Sequence, residues 1–343
     1  MATPIPPRAR TAEPTFWKPH VVILGAGASV ATCPKGDRRG KPLPVMNDLI
    51  ERARLEPILK SAGVIATNRN FEDLYSDLVA EGKHADCLRR LDAAVRMYFS
   101  ELELPEGPTT YDRLVLSLRD KDFIATFNWD PLLWQARDRC RRLAPVPRIV
   151  ALHGSVALGY CDCSEPILFG SGLWACERCG GQLKPMPLLY PVGGKDYTAD
   201  PLIAAGWHDV QLVLKRAYAL TIFGYGAPKT DSGAIELMKQ AWGPAEGRRF
   251  EEIEIIDVKS RAELEQTWKP FVHSNHWGAY PSLEDSYLLG LWPRRSCEGL
   301  WNATMQNDPD PDNPMPTDGD WADIEAFVRP LAAQEADSGG GKA

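Results

Sequence analysis

The chain has 343 residues and a net charge of −7, with 44% apolar and 25% charged residues. This is an ordinary globular composition, and the length suits one main core with appendages. The negative charge argues against general binding to nucleic-acid backbones, and no apolar run is long enough to cross a bilayer. Residues 1–19 are rich in proline and lack the apolar core of a secretory signal, so we expect a flexible leader there.

Strand and helix patterns alternate along the rest of the chain. Short apolar runs predict strands, in order, at 20–24, 122–126, 149–152, 220–223 and 253–256. Helical periodicity predicts helices over 45–62, 71–80, 85–102, 110–118, 130–143, 201–217, 232–242 and 321–331. This alternation predicts an α/β fold with a Rossmann-like, mostly parallel sheet.

The same pattern divides the chain into regions. Residues 20–258 form the predicted sheet domain, within which residues 45–120 are a helical insertion and residues 160–190 a cysteine-rich module. Residues 259–331 are expected to be a C-terminal extension, and residues 332–343 a disordered tail. The extension is rich in aromatic residues, which we expect to pack as an extension of the core, with a protein interface as the alternative: Trp277, Tyr280, Trp292 and Trp301.

Glycines or polar side chains follow every predicted strand. The residues concerned are Gly25 to Ser29, Thr126 to Asp130, His153 to Ser155, Gly224 to Gly226, and Asp257. In an open α/β sheet, ligands bind outside the carboxyl ends of the strands. The convergence of all five strand ends at one edge is the strongest functional signal in the sequence.

The first strand ends in the turn Gly25-Ala26-Gly27, which permits a close backbone approach. Exposed amides at such a turn can hold a pyrophosphate, and Ser29 adds a hydroxyl donor. Val30 occupies the third glycine position of the dehydrogenase fingerprint G-x-G-x-x-G. The missing glycine argues against an ordinary hydride-transfer enzyme, and a plain strand-exit turn stays the alternative.

Three polar residues at the second and third strand ends are candidates for chemistry. Asp130 precedes Pro131 and is explained by a helix start, whereas the amide of Asn128 can bind a ribose hydroxyl or a water. His153 is a candidate general base because imidazole titrates near neutral pH. Gly154 beside it gives access, although a lone histidine is often structural.

The cysteines fall into two groups. Cys161, Cys163, Cys176 and Cys179 form two short-spaced pairs, which predict a closed tetrahedral zinc site with a structural role. The other four cysteines are scattered, a pattern that suits a reducing, cytoplasmic compartment rather than a disulfide framework.

Taken in order, the glycine turn, the Asn-x-Asp motif, the His-Gly pair and the four cysteines resemble the sirtuin superfamily. Three runs are similar to its bacterial sirtuin-like group, which includes NAD hydrolases of antiphage defence: Phe71 to Leu74, Thr126 to Asp130, and Gly224 to Asp231. The resemblance implies NAD as the substrate, bound zinc, and either a homo-oligomer or a partner in a defence system.

The resemblance also implies roles for individual residues. His153 would match the catalytic histidine, with Asn128 and Asp130 as catalytic and ribose-side NAD contacts. The phosphate turn would comprise Gly25, Ala26, Gly27 and Ser29, and the adenosine half of NAD would lie near Gly224, Tyr225 and Asp257.

Two departures from the deacylases weaken an acyl-lysine site. Residues 30–35 replace the segment Gly-Ile-Pro-Asp-Phe-Arg, and residues 189–193 stand where deacylases carry Phe-Gly-Glu. We therefore expect an NAD hydrolase that cleaves the nicotinamide–ribose bond. An NAD-dependent lysine deacylase and a non-catalytic NAD or ADP-ribose sensor are the alternatives.

Overall fold

The computed structural model describes most of the chain. The described residues are 18–161, 163–169, 175–176, 178–190, 192, 195–244, 247–248, 251–269 and 276–339. Residues 1–17 of the expected leader and residues 340–343 of the expected tail lie outside them.

A six-stranded sheet forms the centre of the molecule, with all neighbouring strands parallel and in the order β3-β2-β1-β7-β8-β9. Its strands are β1 (His20–Leu24), β2 (Phe123–Thr126), β3 (Arg148–Ala151), β7 (Ala219–Phe223), β8 (Glu252–Ile256) and β9 (Trp277–Tyr280). The first five strands are almost entirely buried, because helices cover both faces of a parallel sheet. The predicted fold class is confirmed: numbered within this sheet, the strand order is the doubly wound order 3-2-1-4-5-6.

Twelve α-helices are described, and several of them form the predicted insertion. They are α1 (Ala26–Thr32), α2 (Leu49–Arg52), α3 (Glu56–Ser61), α4 (Phe71–Glu81), α5 (Ala85–Ser100), α6 (Thr110–Leu116), α7 (Leu132–Cys140), α8 (Pro201–Leu214), α9 (Ser232–Trp242), α10 (Arg261–Trp268), α11 (Ser296–Met305) and α12 (Trp321–Gly339). No helix of the described part is long and apolar enough to span a bilayer.

Local signals explain where several of these helices begin and end. Asn70 accepts a hydrogen bond from the amide of Glu72 at the start of α4, which ends at Gly82 in the left-handed conformation. A reciprocal capping box between Thr109 and Asp112 begins α6. These caps satisfy amide and carbonyl groups that a helix end leaves unpaired.

The helix predicted over residues 45–62 is wrong in extent, because the structure contains two short helices there, α2 and α3. Arg54 separates them with a positive φ of 53°, and Pro57 lies in the first turn of α3. Proline has no amide proton and is disfavoured inside a helix, so the chain begins a new helix instead.

The sheet does not end at the expected domain boundary, residue 258. Strand β9 pairs in parallel with β8, so the segment expected to be an extension supplies the sixth strand. The last helix also runs further than expected: α12 continues to Gly339, where we expected a disordered tail from residue 332.

A small antiparallel sheet lies in the cysteine-rich region. Its strands are β4 (Leu158–Cys161), β5 (Ser164–Phe169) and β6 (Lys184–Pro185), in the order β5-β4-β6. This sheet interrupts the alternation of strands and helices between β3 and α8, as the sequence predicts.

Candidate functional site

A cavity of about 400 Å³ opens at the carboxyl ends of β1, β2, β3 and β7. The strand order reverses between β1 and β7, and such a switch point is where doubly wound sheets bind ligands. Every residue predicted for catalysis or NAD binding lines this cavity: Gly25, Ala26, Gly27, Ser29, Asn128, Asp130, His153, Gly224, Tyr225 and Asp257. The structure therefore brings together all of the non-metal residues selected from the sequence.

The glycine turn is packed directly against the end of β7. A Cβ atom at Gly25 would lie 2.5 Å from Cα of Tyr225, and one at Gly27 would lie 2.8 Å from Cα of Gly224. The amides of Gly25 and Gly27 donate to the carbonyls of Phe223 and Gly224 at 3.0 and 2.9 Å. These two amides, expected to hold a pyrophosphate, are thus used to join two strand ends.

Ser29 is the centre of a buried hydrogen-bond network beneath the turn. Its Oγ donates to Oδ2 of Asp130 at 2.7 Å and lies 2.8 Å from the hydroxyl of Tyr111. Nδ2 of Asn128 lies within 3.1 Å of Ser29 Oγ, the Tyr111 hydroxyl and the carbonyl of Gly25. The amide nitrogen of Asn128 therefore supports the turn, and no described residue is hydrogen-bonded to its amide oxygen.

The carboxyl group of Asp130 bonds both to this network and to the first turn of α7. Its Oδ1 accepts a hydrogen bond from the amide of Leu132 at 3.1 Å, which accounts for the Asp-Pro pair as a helix start. The side chain is buried, and burial raises the pKa of its carboxyl group. Burial removes the hydration of the ionised carboxylate, and a cation placed beside it would stabilise this ionised form.

His153 lines the cavity with only 6% of its surface exposed. The ring meets Phe127 edge to face at 4.7 Å, and its Nε2 has no hydrogen-bond partner among the described residues. Burial lowers the pKa of His153 to about 4; the nearby Asp231 opposes this shift and Lys195 adds to it. The imidazole is therefore neutral at physiological pH and able to accept a proton.

Four charged residues that the sequence reasoning did not select also line the cavity: Glu72, Lys195, Asp231 and Lys259. Asp231 is buried, accepts a hydrogen bond from the Tyr225 hydroxyl at 3.0 Å and pairs with Lys195. Burial raises the pKa of Glu72, and the neighbouring Asp231 raises it further. Glu72 and Asp231 fall in two of the runs that resemble the sirtuin-like group, whereas nothing in the sequence marked Lys195.

The segment that follows the small sheet covers His153. Leu189 donates its amide to the carbonyl of His153 at 2.9 Å, and the ring of Tyr190 stacks on Tyr75 of α4 with centroids 4.7 Å apart. Arg96 of α5 donates to the carbonyl of Met186 at 2.8 Å. The insertion helices thus hold residues 186–190, which we call the cover segment, against the site.

A second cavity of about 290 Å³ adjoins the first and shares Gly27, Gly224 and Asp257 with it. It lies at the ends of β7, β8 and β9, on the far side of the glycine turn from His153. Tyr225 does not face it: its ring stacks on Phe127 at 4.1 Å, on the His153 side. Tyr225 thus lines the first cavity, and its contact with the adenosine half of NAD stays a prediction.

The four cysteines expected to bind zinc form one cluster. Their sulfur atoms lie within 4.8 Å of one another, and three of the pairs are 3.4 to 3.5 Å apart. Tetrahedral zinc with Zn–S bonds of about 2.3 Å places its sulfurs about 3.8 Å apart, so the cluster fits this ion. The amide of Gly181 points at the sulfur of Cys179 from 3.4 Å, which suits a bound thiolate.

Comparisons with known proteins found similar structures but no similar sequences. No family model matches the chain, and no curated protein matches it. A Sir2 homologue in complex with NAD is 15% identical and has a TM-score of 0.38, with 76% of this chain and 83% of that chain covered. A Sir2 bound to an acetylated peptide is 13% identical and has a TM-score of 0.38, with 84% and 93% covered. A sirtuin studied for its substrate affinity is 15% identical and has a TM-score of 0.40, with 77% and 89% covered. Identities this low say nothing about function.

Proposed function

We propose that the protein hydrolyses the nicotinamide–ribose bond of NAD. The observation that carries this proposal is a neutral, buried imidazole in a cavity that is rich in carboxylates and lies at the switch point of a doubly wound sheet. The described lining holds four carboxylates and two lysines: Glu72, Asp130, Asp231 and Asp257, with Lys195 and Lys259.

The charges of the cavity suit a cationic reaction centre. Nicotinamide carries a positive charge in NAD, and breaking its bond to C1′ leaves a ribosyl cation as the electron pair moves to the nicotinamide nitrogen. Carboxylates that are buried beside the reacting atoms stabilise such a cation more than water does. Asp231 is a buried carboxylate 3.7 Å from His153, and the buried Glu72 lies close enough to Asp231 for the two charges to interact.

His153 would complete the reaction as a general base. A water molecule attacks C1′ and passes a proton to the neutral imidazole, and the products are nicotinamide, ADP-ribose and one proton. The amide oxygen of Asn128 is available to orient this water or a ribose hydroxyl. The two adjoining cavities would take the two halves of the dinucleotide, on either side of the glycine turn.

The cover segment favours water over a peptide as the acceptor. It is hydrogen-bonded to the carbonyl of His153 and held by α4 and α5, so this segment is fixed beside the histidine. The sequence of this region also departs from that of the deacylases. Both observations support hydrolysis over transfer to an acylated lysine.

The test is to incubate purified protein with NAD and to measure nicotinamide and ADP-ribose, with and without an acetyl-lysine peptide. We expect peptide-independent release that falls about 10² to 10⁴-fold in His153→Ala. His208→Ala is the matched control, because His208 is exposed on α8. Equal, background release by wild type and His153→Ala under activating conditions would rule out hydrolysis. Release that requires the peptide would indicate a deacylase, and NAD binding without release a sensor. The proposed role of this activity is antiphage defence. In that role, NAD hydrolysis by the wild-type protein is expected to deplete NAD in infected cells.

A further inference from the structure

Two basic groups approach the same oxygen of Asp231. Oδ1 is bonded to the ammonium group of Lys195 and lies 3.7 Å from Nε2 of His153. Oδ2 is occupied separately by the hydroxyl of Tyr225. The side chains of His153, Asp231 and Lys195 are 7%, 5% and 3% exposed, so water does not screen their interaction.

The separation of 3.7 Å is too long for a hydrogen bond, and Nε2 of His153 has no other partner among the described residues. A buried ring nitrogen without a partner is costly, and the nearest acceptor is already bonded to a lysine. Only a small displacement of the carboxylate or the ring would bring Nε2 and Oδ1 into contact. Oδ1 of Asp231 can therefore accept a hydrogen bond from either Lys195 or His153.

We propose that Asp231 is a positioning residue for His153 and that Lys195 competes with His153 for Oδ1 of Asp231. While Lys195 holds this oxygen, His153 is neutral and unpaired. When Lys195 is removed, Oδ1 accepts a hydrogen bond from Nε2–H of His153. Nδ1 is then the ring nitrogen left to face a substrate. The catalytic meaning of this competition rests on the proposed NAD hydrolysis, but the competition itself does not.

The charges around the ring agree with this competition. Asp231 raises the pKa of His153 and Lys195 lowers it, while burial has the largest effect and brings the pKa to about 4. The other titratable groups that surround the two residues come from α4, from the end of β2 and β7, and from the loop before α8: Glu72, Asp130, Tyr225 and Tyr197. Of the two charged groups that act on His153, Lys195 is the cation, so its removal leaves the opposing effect of Asp231 in place.

The test is an NMR titration of the full-length protein with labelled histidine, in the absence of NAD. The chain has six histidines, and His153→Ala identifies the signal of His153. We expect a midpoint of about 4 in the wild type. In Lys195→Met the midpoint should rise by about one to three units, because an ionised carboxylate becomes free to pair with the imidazolium. Lys195→Arg keeps the charge and should leave the midpoint within about half a unit.

The double variant Lys195→Met/Asp231→Asn should lose the rise, since the carboxylate is its cause. A folded Lys195→Met protein with an unchanged midpoint, or a rise that persists in the double variant, would overturn the proposal. If Lys195→Met does not fold, Lys195→Leu replaces it, because leucine also removes the charge and cannot donate to Asp231.

A pH–rate profile separates this proposal from the proposed function. In an active hydrolase, the low-pH limb of kcat/KM should move upward in Lys195→Met by the shift seen in the titration. If no hydrolysis is found but the titration shifts, the proposed function fails and the competition for Asp231 stands. If hydrolysis is found but the titration midpoint of His153 does not shift, the proposed function stands and the competition for Asp231 fails.

Discussion

Gly154 lies directly against the carbonyl of Pro187, so closely that a Cβ atom at Gly154 would be 1.8 Å from that oxygen. Gly154 also has a positive φ of 78°, a conformation that other residues adopt at a cost. The turn after His153 and the cover segment can therefore approach each other only because this residue is glycine. The contact links the histidine to the region that follows the small sheet.

Gly154→Ala should displace the cover segment and lower the free energy of unfolding by about 2–4 kcal/mol, because the clash is with backbone atoms that cannot rotate away. Chemical denaturation measures this change. Gly82→Ala is the matched control: Gly82 has a φ of 66° and open space around its Cβ position, so only about 1 kcal/mol is expected. Equal losses in the two variants would contradict the close contact.

Ser29→Ala should destabilise the glycine turn. The variant removes the hydroxyl that donates to Asp130 and that lies 3.0 Å from Nδ2 of Asn128. A buried carboxylate without its donor costs about 1–3 kcal/mol, to be measured by denaturant unfolding. Ser100→Ala is the control, because the exposed Ser100 bonds only to the carbonyl of Met97 within its own helix. A loss in Ser29→Ala no larger than in this control would argue against the network.

Metal removal should unfold the cysteine-rich region. We expect about one zinc ion per chain by elemental analysis, lost on treatment with a strong chelator and in Cys176→Ser. Cys87→Ala should keep the metal, because Cys87 is buried on α5 away from the cluster. The thermal midpoint of unfolding should fall with the metal. A wild-type protein that contains no zinc after purification without chelator would contradict the assignment.

A buried polar chain joins the sheet to the C-terminal helices, and it should make stability depend on pH. His20 Nδ1 lies 2.7 Å from the hydroxyl of Ser296, and its Nε2 lies 2.7 Å from that of Thr221. Thr221 in turn donates to Glu254 at 2.8 Å, and Glu254 accepts the amide of Tyr287 at 2.6 Å. Burial raises the pKa of Glu254 to about 7, above its ordinary value of 4.5.

Because the folded state binds this proton more tightly than the unfolded state, ionisation of Glu254 reduces stability as the pH rises from about 4.5 to 7. Glu254→Gln should therefore be more stable than the wild type at pH 8, by up to about 3 kcal/mol, and the difference should vanish near pH 4. Urea unfolding at several pH values measures this. Burial lowers the pKa of His20 to about 4, so its effect on stability has the opposite pH dependence. This effect is the same in the wild type and in Glu254→Gln. Glu265→Gln, at an exposed position on α10, should show no such trend.

The sequence alone predicted five of the six strands of the central sheet and ten residues that line the candidate cavity. Apolar runs of four or five residues mark β1, β2, β3, β7 and β8 because a parallel sheet buries both of its faces. The residues that follow these strands line one cavity because parallel strands end at one edge of the sheet. The cysteine spacing also predicted the four-cysteine cluster, since two short-spaced pairs can bring four sulfur atoms together as a closed tetrahedral site requires.

Only the tertiary structure decided how these residues are used. β9 was missed because its half-buried residues lack a continuous apolar run, and it is a strand only because β8 offers an edge. Lys195 gave no local signal, and its importance comes from its contact with Asp231, 36 residues away. The glycine turn shows the difference most clearly. Its pattern predicts a close approach, but the partner at Gly25 is the backbone of Tyr225, which periodicity and spacing do not reveal because the contact joins distant parts of the chain.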